Sequence, residues 1–328
     1  MANYKEIHGV KVQYRDSDAT AIEGDVWYNA TTGLLKMYAA AGAWSTGGNL
    51  SEAKAQGGGA GTQTAAMFTS GRTHGDGSTT VNCEQYDGSS WTEIANVNTD
   101  RYALGGGGTQ TAAFIAGGRT QSPNTHMDNC ETWDNSSWTE VGDLNTARTY
   151  LGGNGTATAG LIVGGGPPTY AITESWDGSS WSEVNDLNTA RIYTGVMGGS
   201  ATQTAAVAAG GYADPAPMNN SETWNGTSWT EGNNLNTARD GAGASGISTA
   251  GVVFGGAIPP TAYTAVTESY NGTSYTEEAD MTLSANTRVS AVHGTQTSAL
   301  GAGGFAPGLV ATTEEFSDTA SIETIAFD

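Results

Sequence analysis

Glutamate and arginine are the residues whose spacing first suggests chemistry, because both recur at regular intervals. The glutamates are Glu84, Glu131, Glu174, Glu222, Glu268 and Glu314. The arginines are Arg101, Arg148, Arg191, Arg239 and Arg288. Two carboxylates at a suitable distance can act as general acid and general base, but a protein needs such a pair once and not in every repeat. We therefore predict that these residues form ion pairs within or between repeats and fix their register.

Histidine could bind a metal, but the four histidines of this chain are scattered. They are His8, His74, His126 and His293. None of them lies at a zinc-ligand spacing from another histidine, and we interpret all four as solvated. The sequence therefore predicts no metal site, no cofactor and no catalytic residue.

Cys83 and Cys130 hold the same place in neighbouring repeats. The other repeats have a small polar residue there, at Thr173, Ser221, Thr267 and Thr313. Equivalent positions in adjacent repeats should lie farther apart than the ~7 Å that a disulfide can span. We predict two small, buried, unpaired side chains.

The element that carries these residues is a hairpin, seen most clearly in residues 173–191. Asp177-Gly178 follows an aromatic residue and precedes a Ser-rich flank, and Asp-Gly is a strong hairpin signal because a type I′ turn needs positive φ. With a two-residue turn Trp176 faces Ser179, and with a four-residue loop it faces Trp181. Either way both indoles lie on one side of the hairpin, so several hairpins must stack to bury them.

The second aromatic residue of this hairpin returns at nearly constant spacing. It falls at Trp44, Trp91, Trp138, Trp181, Trp229 and Tyr275, with Ile322 last, in steps of 47, 47, 43, 48, 46 and 47 residues. Four strands can be traced within one period, the second being the apolar run 156–163. A four-stranded unit repeating every ~40–50 residues is typical of a β-propeller blade.

Composition limits the class of partner. The chain has 328 residues, 48 of them glycine, and a net charge of −21 from 12 basic and 33 acidic residues. Nucleic-acid binding depends largely on Lys and Arg at phosphates, so the charge argues against nucleic acid and against anionic membrane surfaces. The N-terminal residues lack the apolar core of a secretory signal, and no apolar run is long enough to predict a membrane span.

The repeat resembles the kelch repeat, which has an arginine before an apolar strand that ends in Gly-Gly, then an aromatic residue, a turn and a Trp. The resemblance covers residues 52–328 as six repeats of about 47 residues and implies an all-β, kelch-like β-propeller. Lys54 and Ser70-Gly71 depart from the pattern in the first repeat. The positions that carry it best are Trp133, Trp138, Trp176, Trp181, Trp224, Trp229, Glu131, Glu174, Glu222, Arg148, Arg191 and Arg239.

Residues 1–51 form an N-terminal segment with a different hairpin. Gly24-Asp-Val-Trp-Tyr-Asn29, Leu35-Lys-Met-Tyr38 and Gly42-Ala-Trp44 resemble a hairpin of bacteriophage tail-fibre and other virion proteins, particularly of marine phages. We expect the segment to be a partial blade or a docking element. Because Trp44 is in register with the later repeats, seven blades with a partial N-terminal one are favoured, and six blades plus an appended hairpin are the alternative.

The loops after the double glycines differ in every repeat, and alternating strand direction places them all on one face beside the Asn-Thr-Ala-Arg segments. Variable loops on a rigid scaffold are the usual layout of a binding surface. The candidate binding residues, with the aromatic ones as sugar-stacking candidates, are Tyr170, Tyr212, Tyr263, Phe305, His74 and His126.

The resemblances imply a bacteriophage virion structural protein and not an enzyme. It would be a propeller on a tail fibre or on the capsid surface, made in the host cytoplasm and released by lysis. Its expected partners are host-surface glycan in host attachment, or other virion proteins if it is a capsid decoration or an assembly module; a homo-oligomer is also open. The alternative is a secreted or virion-borne carbohydrate-active enzyme on a propeller scaffold.

Overall fold

The computed structural model of the chain consists of strands joined by turns and loops. It describes residues 12–17, 26–39, 42–73, 75, 78–122, 124–198, 203–258, 262–290, 292–318 and 321–325. The described residues fall into two compact units, one drawn from the ranges 1–43 and 318–328 and the other from residues 44–317.

The second unit contains six four-stranded antiparallel sheets, which we call blades 1 to 6. Blade 1 consists of Gly58–Thr62, Ala65–Thr69, Cys83–Tyr86 and Trp91–Ile94. Blade 2 consists of Gly105–Thr109, Ala112–Ala116, Cys130–Trp133 and Trp138–Val141. Blade 3 consists of Gly152–Thr156, Ala159–Val163, Thr173–Trp176 and Trp181–Val184.

The remaining blades repeat this order. Blade 4 consists of Gly195–Met197, Ala206–Ala209, Ser221–Trp224 and Trp229–Glu231. Blade 5 consists of Gly243–Ile247, Ala250–Phe254, Thr267–Tyr270 and Tyr275–Glu277. Blade 6 consists of Val289–Ser290, Ser298–Ala302, Thr313–Asp318 and Gly42–Thr46. The predicted all-β propeller fold is confirmed.

The fourth strand of blade 6 therefore comes from the N-terminal side of the chain. The indole of Trp44 lies 5.3 Å from the ring of Phe316 in the neighbouring strand. Trp181 stands in the same relation to Trp176, also at 5.3 Å. Trp44 thus holds the place in blade 6 to which the repeat spacing assigned Ile322, and Ile322 lies in a strand of the other unit.

A closed circle of backbone hydrogen bonds runs around the propeller axis, through one residue of each repeat. In each bond the N–H of one residue donates to the carbonyl of the equivalent residue in the preceding blade. The bonds are Ala103 to Gln56 (2.7 Å), Tyr150 to Ala103 (2.7 Å), Tyr193 to Tyr150 (3.0 Å), Gly241 to Tyr193 (3.0 Å), Thr287 to Gly241 (2.7 Å) and Gln56 to Thr287 (3.3 Å). We call these six residues the axial ring. All six have positive φ, between 49° and 61°.

The propeller has six blades, which is the alternative count from the sequence and not the favoured seven. The first strands of neighbouring blades are in contact, and that of blade 6 contacts that of blade 1, so no further blade stands between them. The physical reason is that Trp44 completes blade 6 and does not belong to a blade of its own.

Glycine in the first strands allows the blades to approach so closely. The first strand of blade 2 reads Gly-Gly-Gly-Gly-Thr. A Cβ atom on Gly153 in blade 3 would lie only 2.5 Å from the backbone nitrogen of Gly106 in blade 2. Side chains at these positions would force neighbouring blades apart, which explains much of the glycine content.

The hairpins of blades 1 to 5 use the four-residue loop. Trp176 pairs directly with Trp181 across the strands, and the Asp177 side chain accepts hydrogen bonds from the N–H groups of Ser179 and Ser180, each at 2.8 Å. These hydrogen bonds lower the pKa of Asp177 to about 2, and the bond from the Ser180 N–H contributes most. Gly178 has φ 95°. The recurrent Asp-Gly is therefore a turn-forming pair with its carboxylate engaged by the backbone.

Neighbouring blades are joined by the second aromatic residue of each hairpin. Trp181 of blade 3 packs against Phe114 of blade 2, with ring centroids 5.8 Å apart. The indole of Trp229 donates to Thr173 of the preceding blade at 3.0 Å. Cys83 and Cys130 occupy the place of Thr173 in blades 1 and 2 as buried, unpaired thiols, as predicted.

The other unit contains its own four-stranded sheet. In order across the sheet its strands are Gln13–Arg15, Val26–Asn29, Leu34–Ala39 and Ser321–Thr324. The first pair is parallel and the others are antiparallel. Trp27 is fully buried, whereas Tyr14 is 74% exposed and stacks on Tyr28.

Candidate functional site

Every blade contains one buried ion pair, and this accounts for the recurring glutamates. The carboxylate of the third strand pairs with a cation that lies near the first strand of the same blade. The pairs are Lys54–Glu84 (2.9 Å), Arg101–Glu131 (2.8 Å), Arg148–Glu174 (3.0 Å), Arg191–Glu222 (2.6 Å), Arg239–Glu268 and Arg288–Glu314 (2.6 Å). Their side chains are at most 3% exposed. The prediction that these residues form ion pairs is confirmed.

In blade 3 the pair holds three segments together. Arg148 donates to Glu174 and also to the carbonyls of Gly164 (2.9 Å) and Ile172 (2.8 Å). The second oxygen of Glu174 accepts from the backbone N–H and the side-chain amide of Asn145, both at 2.8 Å. Because every oxygen of this carboxylate is engaged and buried, the recurrent glutamates are structural.

Blade 6 supplies its cation from a different position. In blades 1 to 5 the cation precedes the axial-ring residue by two positions, but Ala285 holds that place in blade 6. Arg288, which directly follows Thr287, supplies the guanidinium there. The prediction that Arg288 is equivalent to the other arginines is therefore wrong: the ion pair is kept, but its cation comes from a position three residues further along the repeat.

The variable loops lie together on one side of the propeller, which we call the loop face. The first residue of each loop forms a backbone bridge to the residue that precedes the axial ring, for example Arg72 to Ala55 and Phe305 to Asn286. Three of the loops form small hairpins of their own. Their paired strands are Tyr212–Ala213 with Ala216–Pro217, Ala257–Ile258 with Ala262–Tyr263, and Phe305–Ala306 with Gly308–Leu309. The expected gathering of the loops beside the Thr-Ala-Arg segments is confirmed.

A cluster of arginine and tyrosine surrounds the axis on the loop face. The guanidinium carbons of Arg119 and Arg72 lie 5.0 Å and 5.7 Å from the ring centroid of the buried Tyr102. Arg119 donates to the hydroxyl of Tyr150 at 3.2 Å. The rings of Tyr150 and Tyr193 stack with centroids 4.2 Å apart.

A cavity of about 250 Å³ opens beside this cluster. Its wall includes Arg72, Tyr193, Asp240 and Phe305. A smaller cavity of about 120 Å³ follows along the axis and is lined mainly by small residues from all six repeats. The larger cavity therefore combines a cation, a carboxyl group and two aromatic rings.

Burial shifts the pKa of several groups at this cavity. Desolvation raises the pKa of Asp240 to about 6. Desolvation, and then the neighbouring Tyr150, raises the pKa of Tyr193, and desolvation also raises that of Tyr102. The tyrosines remain neutral hydrogen-bonding groups at physiological pH, whereas Asp240 titrates just below it.

The predicted binding residues are dispersed over the loop face. Tyr263 and Phe305 form one edge-on ring contact at 6.0 Å, and Phe305 also lines the cavity. Tyr170 and Tyr212 are half-buried in two other loops, the latter near Asp214. His126 is half-buried and its backbone pairs with that of Arg119. His74 lies outside the described residues.

Six residues of the cluster and its cavity were not predicted from the sequence as binding residues: Arg72, Tyr102, Arg119, Tyr150, Tyr193 and Asp240. A signal for two of them was present. The other arginines of the propeller recur at or near one position of the repeat, that of the buried cation. Arg72 and Arg119 fall elsewhere in their repeats. The tyrosines carried no such signal, because the position of each is set by the axial ring.

The end of the axis away from the loops is closed by a histidine. The backbone N–H of His293 donates to Gly61 of blade 1, and its ring nitrogen Nε2 lies 2.9 Å from the carbonyl of Gly155 in blade 3. His293 is 8% exposed, and burial lowers its pKa. The interpretation of all histidines as solvated is wrong for this one, which fills space in the core.

Comparison with known protein families and with curated proteins assigns no function to this site. Neither a model of a protein family nor a curated protein matches the chain. Within the described ranges there is no group of three His, Cys, Asp or Glu placed to hold a metal. Those ranges also contain no apolar helix of membrane-spanning length.

Proposed function

We propose that this chain is a non-enzymatic binding protein whose loop face binds host-surface glycan. The observation that carries the proposal is the contrast between the two parts of each blade. The buried ion pair and the axial-ring residue occur in all six blades, while the loops on one face differ in every repeat. Rigid elements that carry dissimilar loops are the usual arrangement of a recognition surface.

The aromatic residues of this face favour a sugar as the ligand. Phe305 lines the cavity, Tyr263 contacts its ring, and both are partly exposed; Tyr212 lies in another of the small hairpins. Aromatic rings offer an apolar face, and tyrosine adds a polar group at its edge. That combination suits the alternation of C–H faces and hydroxyl groups on a sugar ring.

The setting that we propose is a bacteriophage particle, on a tail fibre or on the capsid surface. Its support is the resemblance of the repeat to kelch propellers and of the N-terminal hairpin to phage virion proteins. The N-terminal sheet, which exposes Tyr14, Tyr28 and Leu34, would attach to a neighbouring virion protein. Large contiguous apolar patches on a protein surface mark interaction sites.

The virion assignment is tested by mass spectrometry of gradient-purified particles, combined with immunogold labelling of the same sample. We expect the protein on the particle, at the head or the tail. Its recovery only as free protein in the lysate would contradict the assignment.

The glycan assignment is tested by measuring adsorption of the labelled protein to host cells before and after periodate oxidation of surface sugars. We expect oxidation to remove most of the adsorption, because periodate cleaves vicinal diols and leaves protein receptors largely intact. Undiminished adsorption would show that the ligand is not a glycan.

A carbohydrate-active enzyme, the alternative function, would require catalytic carboxyl groups in the cavity. Most glycoside hydrolases need two carboxyl groups ~5–10 Å apart across the scissile bond. Among the described residues that line the larger cavity, Asp240 is the carboxylic acid. A binding role accounts for the arrangement with fewer assumptions.

A further inference from the structure

The cations of the propeller that take no part in the glutamate pairs lie against one aromatic ring on the loop face. Residues 44–317 contain eight Lys and Arg residues. Six of them are consumed by the buried ion pairs with glutamate. The other two are Arg72 and Arg119, and the fold brings both against the same ring, that of Tyr102. In a chain of net charge −21, two arginines against one ring that form no ion pair with any carboxylate of the described residues are unexpected.

These two guanidinium groups have hydrogen-bonding capacity to spare. The described contacts of Arg72 and Arg119 include no ion pair; Arg72 donates to the carbonyl of Gly75 (3.0 Å) and Arg119 to the Tyr150 hydroxyl (3.2 Å). Among the described residues, the Nε atom of each is buried without a hydrogen-bond partner. A guanidinium group carries five N–H donors, so each of these side chains can still donate to an anion that reaches the cluster.

We propose that Arg72 and Arg119, supported by Tyr102 and Tyr150, bind the carboxylate of an acidic sugar. The proposal rests on the proposed function and deepens it by naming the class of sugar. A guanidinium group matches a carboxylate in shape and can donate two parallel hydrogen bonds to it. Tyr102 holds both guanidinium groups in place by cation–π contact.

The adjoining cavity suits the rest of one sugar unit. Its volume of about 250 Å³ is below the ~300–1,000 Å³ of pockets for drug-sized ligands. Phe305 and Tyr193 offer rings for the sugar face, and Asp240 can accept hydrogen bonds from hydroxyl groups. The strongly negative molecule repels long polyanions such as nucleic acid, so a single carboxylate on an otherwise neutral glycan is the better fit.

Three immobilised oligosaccharides that differ only in the terminal unit test the proposal. The terminal units are glucuronic acid, glucose and 6-sulfated glucose, and binding is measured by biolayer interferometry with the full chain. We expect the glucuronic acid probe to bind at least about tenfold more tightly than the glucose probe, because a charged hydrogen-bonded pair contributes ~1.5–3 kcal/mol.

The variants R72Q and R119Q should each lose that preference, so that the glucuronic acid and glucose probes bind with similar affinity. The charge-preserving R72K and R119K should keep part of it, and their thermal midpoints should match wild type, because neither arginine belongs to a buried ion pair. F305A should instead weaken binding of both probes, since it removes the surface for the sugar ring.

The outcomes distinguish failure of the carboxylate site from failure of the glycan-binding function. Equal binding of glucuronic acid and glucose probes, unaffected by R72Q and R119Q, overturns the carboxylate site while the glycan-binding function stands. Preference for the sulfated probe over glucuronic acid also overturns the carboxylate assignment. Binding of none of the three probes overturns it as well, and adsorption to periodate-treated host cells then decides the proposed function separately.

Discussion

The buried ion pair is the residue-level feature on which every blade depends. Its carboxylate accepts hydrogen bonds from the segment before the first strand, and its guanidinium donates to the carbonyls at the ends of the second and third strands. Removing one partner from such a network leaves an unpaired buried charge, whereas replacing both can be nearly neutral.

We expect Glu174→Ala to lower the free energy of unfolding by about 3–5 kcal/mol, because Arg148 would stay buried without its partner. Urea denaturation measures the change. The matched control is Glu183→Ala, since Glu183 pairs with Glu174 across the hairpin but is exposed; its effect should stay within about 0.5 kcal/mol. Equal effects of the two substitutions would contradict a structural role for the ion pair.

Cys130 occupies a place where threonine makes a better bond. The indole N–H of Trp181 faces the Cys130 thiol, whereas that of Trp229 donates to Thr173 at 3.0 Å. Cys130→Thr should therefore raise the free energy of unfolding by about 1 kcal/mol, measured by urea denaturation. Cys130→Ala, which provides no acceptor, should not; a gain with alanine would show that relief of crowding, and not the hydrogen bond, is responsible.

Asp240 should make stability depend on pH. Burial raises its pKa to about 6 in the folded protein, against ~3.9 in an unfolded chain. The folded state thus holds the proton more tightly, and stability is lost as pH rises through this window. We expect the stability advantage of Asp240→Asn over wild type to be absent near pH 4 and to grow towards pH 7. Thermal melts of both proteins across this range test it, and a constant difference would contradict the buried carboxyl.

At the scale of elements, the strand that completes blade 6 contributes contacts that no other strand replaces. Gly42–Thr46 completes blade 6 from the other side of the sequence. Its Trp44 packs against Phe254 and Phe316 and donates to Thr267 at 2.9 Å. Because this strand joins segments that are remote in the chain, its contacts bridge the two ends of the six-blade ring.

Trp44→Ala should loosen blade 6 first. Truncation of a packed Trp costs about 3–5 kcal/mol, and we expect faster amide exchange in Ser298–Ala302 and Thr313–Asp318 than in the corresponding strands of blade 3. Hydrogen exchange with mass spectrometry reads out both regions. Trp44→Phe, which keeps an aromatic ring but loses the bond to Thr267, should have a smaller effect. Uniform exchange in all blades would contradict a closing role.

Much of each element could be predicted from the sequence, because local signals specify it. The Asp177-Gly178 turn, the facing of Trp176 and Trp181, and the buried Glu174 all follow from spacing within one repeat. The strand boundaries were less accurate: the apolar run predicted from residue 156 begins at Ala159, because the two residues before it form a turn.

Non-local pairing was the part that sequence spacing could not provide. Trp44 and Ile322 are both in register with the repeat, yet only one can fill blade 6, and periodicity does not decide which. The cluster at the axis was missed for a related reason. Arg72, Tyr102 and Tyr150 come from three consecutive repeats, and only the packing of neighbouring blades brings them together.

At the scale of the whole molecule, the distribution of charge separates scaffold from function. Most of the propeller's cations are buried with glutamate, so its acidic residues dominate the surface and the free arginines mark one spot on the loop face. The repeating interior makes the six blades alike, and the loops make them different. The central claim is therefore that binding occurs on the loop face.

The most direct test compares adsorption of three labelled proteins to host cells: wild type, the double variant Y263A/F305A and the control I247A. Ile247 is 43% exposed in the same blade as Tyr263, but on the opposite face, at the turn between the first and second strands. We expect the double variant to lose at least about tenfold in affinity, as hot-spot aromatic residues do, and I247A to bind like wild type. Unchanged binding of the double variant, or loss of binding in I247A, would contradict the account.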